Sequence, residues 1–118
     1  MNPDEAAAAV AVICTLKDEI LVLQRSRNPD DPWSGHLALP GGRREKQDQS
    51  LFHTCLRETR EECCIELNEN QLVSTLEPRL AGRYAGQPVL VQPFVFRIEA
   101  ALPLKLEAKE IHLSLIHI

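Results

Sequence analysis

Glu58, Glu61 and Glu62, with Arg57 beside them, are the side chains in this sequence whose types and spacing suggest chemistry. On a helix advancing about 100° per residue, the three carboxylates fall within an arc of roughly 100° and point the same way. Like charges three and four residues apart destabilise an isolated helix by about 0.2–0.5 kcal/mol per pair, so folding gains nothing from this stripe unless a cation offsets it. Hard divalent cations take oxygen ligands, and Mg²⁺ commonly combines a few carboxylates with substrate phosphate and water. Arg57 stands four residues before Glu61, where a guanidinium can hold a glutamate by a forked hydrogen bond while its neighbours bind metal. Gly41 and Gly42, ahead of the helix, allow φ values barred to other residues and a close approach of a phosphate chain to the backbone. An E-x-x-E-E stripe alone usually marks a solvated helix face, and a Gly-Gly pair is equally common. Their order and spacing together carry the inference.

These residues need a scaffold, and the pattern around them supplies one. Phe52, Cys55, Leu56, Thr59 and Cys63 share one face, which predicts an amphipathic helix over Ser50–Cys63. Two β-prone runs, Ala8–Thr15 and Glu19–Gln24, flank the polar turn Lys17-Asp18 and read as a hairpin or as neighbouring strands. Ser26–Gly35, dense in Pro, Gly, Asn and Asp, reads as a loop, and His36–Leu39 as a short strand that stops at Pro40. Beyond the helix, Gln71–Leu76 and Leu90–Glu99 read as strands separated by a loop over Glu77–Pro88. Pro93 predicts an edge position or a bulge for the last of these strands. Strands on both sides of one long helix indicate a mixed α and β domain.

Composition limits the partners. The chain has 118 residues, enough for one domain, and 44% of them are apolar, which suits a soluble core. A net charge of −4, from 13 basic and 17 acidic residues interspersed, gives no positive field to gather a nucleic acid polymer or an anionic membrane. A small-molecule ligand fits better. The acidic N-terminus lacks the basic start of a secretory signal, and the apolar run Ala6–Thr15 is too short to span a bilayer, so a cytoplasmic location is expected. Cys14, Cys55, Cys63 and Cys64 show no metal or disulfide spacing and read as small reduced hydrophobes.

The segment from Gly42 to Ile65 resembles the box of the Nudix hydrolase family, G-x5-E-x7-R-E-U-x-E-E-x-G-U, where U is a bulky aliphatic residue. Gly42, Arg57, Glu58, Glu61, Glu62 and Ile65 match it. Asp48 replaces the first glutamate and is followed by one extra residue before Arg57, Thr59 takes an aliphatic position, and Cys64 takes the closing glycine. The extra residue lengthens a loop and leaves the carboxylate stripe intact. Cys64 would hold a left-handed helix end at a cost of roughly 1 kcal/mol. A wider match, Leu23–Ser26, Asp31–His36 and Leu39–Arg43, is similar to the coenzyme A pyrophosphatase-like branch, in which an aspartate with one extra residue is familiar. Leu39 departs from that branch's phenylalanine, and Asp31–His36 departs from its arginine-containing segment.

The resemblance implies an α+β Nudix fold, a mixed β-sheet packed between helices as an α/β/α sandwich. It implies that Glu58, Glu61 and Glu62 bind Mg²⁺, with Mn²⁺ an alternative, and that an activated water attacks a phosphorus of the substrate pyrophosphate. Arg57 would support the site, and Glu58 is either a ligand or the base. Gly41, Gly42, Arg43 and Arg25 would bind substrate; Arg27 and Arg44 flank the same mouth, although surface arginines are commonly solvated. Trp33 reads as packing before base stacking, His36 and His53 receive no acid-base role, and Glu110 falls where some members supply an extra ligand. The expected substrate is a nucleoside diphosphate linked to another moiety, coenzyme A first among them. A homodimer is left open, and the alternative is a nucleotide-binding regulatory module that does not cleave. The family pattern continues past Ile111, and residues 113–118 are what one frame of a common transposon adapter encodes. The expectation is therefore a truncated domain over 1–112 with a non-native tail.

Overall fold

In a computed structural model, residues 6–25, 37–84, 87–99 and 111–117 are described. Their centre is a parallel pair of strands, β1 (Ala8–Thr15) and β7 (Gln87–Ile98), in register from Ala8 opposite Val91 to Thr15 opposite Ile98. Each strand is flanked on its far side by two others. The start of β1 pairs with β4 (Gly41–Arg43) and its end with β2 (Glu19–Arg25). β7 pairs first with β6 (Arg79–Tyr84) and later with β5 (Leu72–Thr75). β2 also pairs with β3 (Leu37–Ala38) and along its whole length with β8 (Ile111–His117), completing a mixed eight-stranded sheet. Asp18 turns β1 into β2 with φ 57, and Thr15 Oγ1 accepts from the Lys17 and Glu19 amides, as the Lys17-Asp18 turn predicts.

Alternation in β1 decides which face the helix covers. Ala9, Ala11, Ile13 and Thr15 are buried, whereas Val10, Val12 and Cys14 on the other face are only half-buried. The helix α1 (Leu51–Cys63) packs on the first set, and the two alanines let it come close. Phe52 lies edge-on to Phe94 at 5.6 Å and stacks on Phe96 at 6.0 Å, fixing the helix start over β7. Leu21, Leu23, Cys55, Cys63, Ile65, Leu67 and Ile98 complete the cluster. All four cysteines are free, and burial pushes the Cys55 and Cys63 thiols up to about 12, which leaves them neutral packing groups. Ser50 caps the helix by accepting from the His53 amide, and Cys64 ends it with φ 58, the left-handed residue expected there.

The mixed sheet with a helix packed on it is the α+β arrangement expected, and among the described residues one long helix covers one face of the sheet. Several elements differ from the sequence-based expectation. Residues 79–84 form β6 where a loop is predicted, because pairing with β7 organises a stretch that has no periodicity of its own. Gly41–Arg43 is a strand as well. Residues 111–117 pair with β2 as β8, an element the local pattern did not announce, and Leu115 packs against the core. Pro93 is not at an edge: β7 is central, and Pro93 falls between the stretches paired with β6 (to Val91) and β5 (from Phe94). Its missing N–H faces that gap, while its carbonyl accepts from Leu76 N at 3.1 Å.

Thr59 takes an aliphatic position of the box and is fully buried; its Oγ1, beside the Cys55 thiol, makes no hydrogen bond of ordinary geometry. An unpaired buried hydroxyl costs about 1–3 kcal/mol. Thr59→Val, which keeps the shape, should therefore raise stability by about 1 kcal/mol and the thermal midpoint by a few degrees in calorimetry; a lower midpoint would show that the hydroxyl is paired.

Candidate active site

The two glycines before the helix do different jobs, and neither needs the left-handed backbone that the sequence suggests. β4 runs so close to β1 that a Cβ on Gly41 would meet the Ala9 carbonyl oxygen at 2.3 Å and Val10 Cα at 2.8 Å. A Cβ on Gly42 would instead meet Glu58: its Cδ at 2.6 Å and its two carboxylate oxygens at 2.8 and 2.9 Å. The Glu58 carboxylate thus occupies the space where a side chain on β4 would be. One helical turn on, Glu62 Oε1 accepts from the Gly41 amide at 2.8 Å. The close packing of helix on β1 brings both glutamates to β4.

Arg57 gathers the rest. Its Nε donates to Asp48 Oδ1 and its Nη2 to Asp48 Oδ2, both at 2.9 Å, a forked pair with side chains only 11% and 3% exposed. Its Nη1 donates to Glu58 Oε1 at 2.8 Å and to Glu61 Oε2 at 3.2 Å, and lies 3.5 Å from Glu45 Oε1. Its Nη2 also reaches the Arg43 carbonyl at 3.3 Å. The predicted Arg57–Glu61 contact is present, but the principal partner is Asp48, nine residues away, for which the sequence offers no spacing rule. Asp48 accepts further from the Glu45 amide and from Thr54 Oγ1, each at 2.9 Å.

Charge follows from this arrangement. Arg57 hydrogen bonding is the main cause that holds the Asp48 carboxyl well below the usual carboxylate range, against the opposing effect of burial. Burial pushes the Glu58 carboxyl up, with Arg57 opposing. Because the Asp48 pKa is depressed in the fold, its stabilisation is full above the unfolded value, near 4, and is lost as pH falls through the folded value. Urea midpoints should accordingly drop below about pH 4, and Asp48→Asn should flatten that acid limb; an unchanged limb would count against the pairing.

The other candidates separate. Arg44 donates to the Asp48 and Gln49 carbonyls at 3.1–3.3 Å and so braces the loop before the helix. Arg43 is exposed on β4 next to Gly42. Arg25 closes β2 opposite Ile111, and its side chain lies outside the described part, as do Arg27, Trp33, His36 and Glu110. His53 is exposed at the helix start, 3.2 Å from Ser50 Oγ. Glu61 is the outlier of the three glutamates, 56% exposed and tied to Arg57 rather than to the glycine strand. Among the described residues no three acidic, His or Cys groups cage a cation unaided. Glu45, Asp48 and Thr54 join the site without having been singled out for these contacts. For Asp48, its place in the box was the available signal.

Comparison with known proteins gives a consistent result. A family model described as the NUDIX domain matches residues 4–110. An uncharacterised protein of Schizosaccharomyces pombe is 38% identical over 96 residues, covering 78% of this chain and 29% of that protein. The mitochondrial coenzyme A diphosphatase NUDT8 of Mus musculus is 36% identical over 76 residues, covering 62% of this chain and 36% of that protein. The chain therefore spans about a third of the length of these two curated relatives. Among solved structures, a MutT protein from Methanosarcina mazei superposes with a TM-score of 0.68 at 26% identity, over 93% of this chain and 75% of that one.

Proposed function

Since the chain belongs to the Nudix family, we propose that it is a divalent-cation-dependent pyrophosphohydrolase acting on a nucleoside diphosphate linked to another moiety, with coenzyme A the leading substrate. The observation that carries this reading is the packing of the Glu58 and Glu62 carboxylates against Gly42 and Gly41, with Glu61 drawn in by Arg57. A purely structural helix face would have no reason to bring its acids onto a glycine strand and raise the Glu58 carboxyl by burial. The likeness to NUDT8 supports the coenzyme A class, as does Asp48 with one extra residue before Arg57, an arrangement familiar in that branch.

The donor set fits a hard cation. It is all oxygen and net negative, and Mg²⁺ needs only a few carboxylates because substrate phosphates and waters complete its shell. Glu58, Glu61 and Glu62 would hold it, or Mn²⁺ in its place. A bound cation there supplies charge neutralisation for the pyrophosphate oxygens and a more acidic water. The chain's own groups set the geometry. Arg57 fixes Glu58 and Glu61, the Gly41 amide fixes Glu62, and Glu58 would serve either as a ligand or as the base that takes the water's proton. Arg43, on the strand beside Gly42, would meet substrate phosphate.

The test is a panel of coenzyme A, nucleotide sugars, ADP-ribose and oxidised nucleoside triphosphates, assayed with Mg²⁺ and with chelator. Two phosphate-containing products from one member, lost on chelation, are expected. Tight binding of a panel member without turnover would favour a regulatory module instead.

A further inference from the structure

Thr54 is fully buried in the first turn of α1, a place where a threonine has no packing advantage over valine. Its Oγ1 lies 2.9 Å from Asp48 Oδ2 and 3.2 Å from the Ser50 carbonyl. A hydroxyl has one proton, and a charged acceptor draws it more strongly than a neutral carbonyl, so it goes to Asp48. Asp48 is thereby held from three sides: the loop through the Glu45 amide, the helix through Thr54, and Arg57 through two nitrogens.

A guanidinium is a rigid planar fork. Once its Nε and Nη2 edge is bound to a carboxylate that cannot rotate, the direction of Nη1 is set, and Nη1 is the atom that holds Glu58 and Glu61. We infer that Thr54 is a positioning residue for the acidic site, acting through Asp48 and Arg57 to fix where Glu58 and Glu61 stand. The aspartate in the lengthened loop then keeps its orientation because the helix supplies a second donor to it. This inference rests on the proposed role of Glu58 and Glu61 as cation ligands.

The test compares the parent with Thr54→Val and Thr54→Ser in the intact chain. Mn²⁺ affinity is read by electron paramagnetic resonance, hydrolysis as separate kcat and KM, and the Arg57 Nε–H signal by NMR. Thr54→Val should weaken Mn²⁺ binding and lower kcat by about 10- to 100-fold with little change in KM, and should expose the Nε–H to exchange. Thr54→Ser, which keeps the hydroxyl, should restore all three. If Thr54→Val does not fold, Thr54→Ala takes its place with the same expectation. Parent-like Mn²⁺ binding in the hydroxyl-less variant, or a serine variant as impaired as the valine, would overturn the inference alone. A parent protein with no saturable Mn²⁺ site would overturn the underlying reading and this inference with it.

Discussion

Gly42→Ala is expected to leave the protein folded and to abolish most of the proposed hydrolase activity. The new Cβ would sit 2.6–2.9 Å from the Glu58 carboxylate group. That group is the end of a flexible side chain, so the glutamate swings away and the backbone does not move. Its new position forfeits the Arg57 Nη1 contact at 2.8 Å and separates Glu58 from Glu62. Misplacing a reacting group by about 1 Å can lower a rate about 100-fold, and kcat/KM should fall by at least that much. The thermal midpoint should stay within about 3 °C of the parent, since the backbone at Gly42 is not in the left-handed region and alanine can adopt it. Calorimetry beside a metal-dependent hydrolysis assay checks both halves; full activity would mean that Glu58 has no part in the chemistry.

Gly41→Ala should do the reverse. Here the Cβ meets main chain, the Ala9 oxygen at 2.3 Å and Val10 Cα at 2.8 Å, and neither can move without breaking the pairing of Ala8, Ala9 and Val10 with β4. Ala9 and Ala11 lie beneath the helix in the core cluster, so a shifted β1 also loosens α1. Overpacking costs about 1–3 kcal/mol, and a clash with main chain belongs at the upper end, a large share of the roughly 5–15 kcal/mol that a domain has. Urea unfolding should show that loss, and a variant within about 1 kcal/mol of the parent would refute the close approach. The two adjacent glycines are thus expected to differ in their main effect, Gly41 on folding and Gly42 on the proposed chemistry, although the Gly41 amide also holds Glu62.

The parts of this architecture that the sequence made legible are those with short-range rules. The helix follows from its apolar face, with Ser50 turning out to be its cap; the left-handed Cys64 follows from its place at the helix end; the Arg57–Glu61 contact follows from a spacing of four. The β1–β2 hairpin was legible for the same reason. β4, β6 and β8 were not, because each is a strand only by virtue of a partner distant in sequence. Pro93 was legible in part: β7 is no edge, but the irregularity that the proline announced is there, since its lost donor lies where pairing passes from β6 to β5 and both ladders shift register.

By itself the sequence determined the acidic stripe, its helix and the likeness that names the chemistry, since side-chain direction on a helix depends on spacing alone. Tertiary structure decided what each member is bonded to. Asp48 meets Arg57 across nine residues, Thr54 turns inward to hold that aspartate, and Gly42 leaves room for Glu58, all because packing α1 on the alanines of β1 closes distances that no local rule encodes.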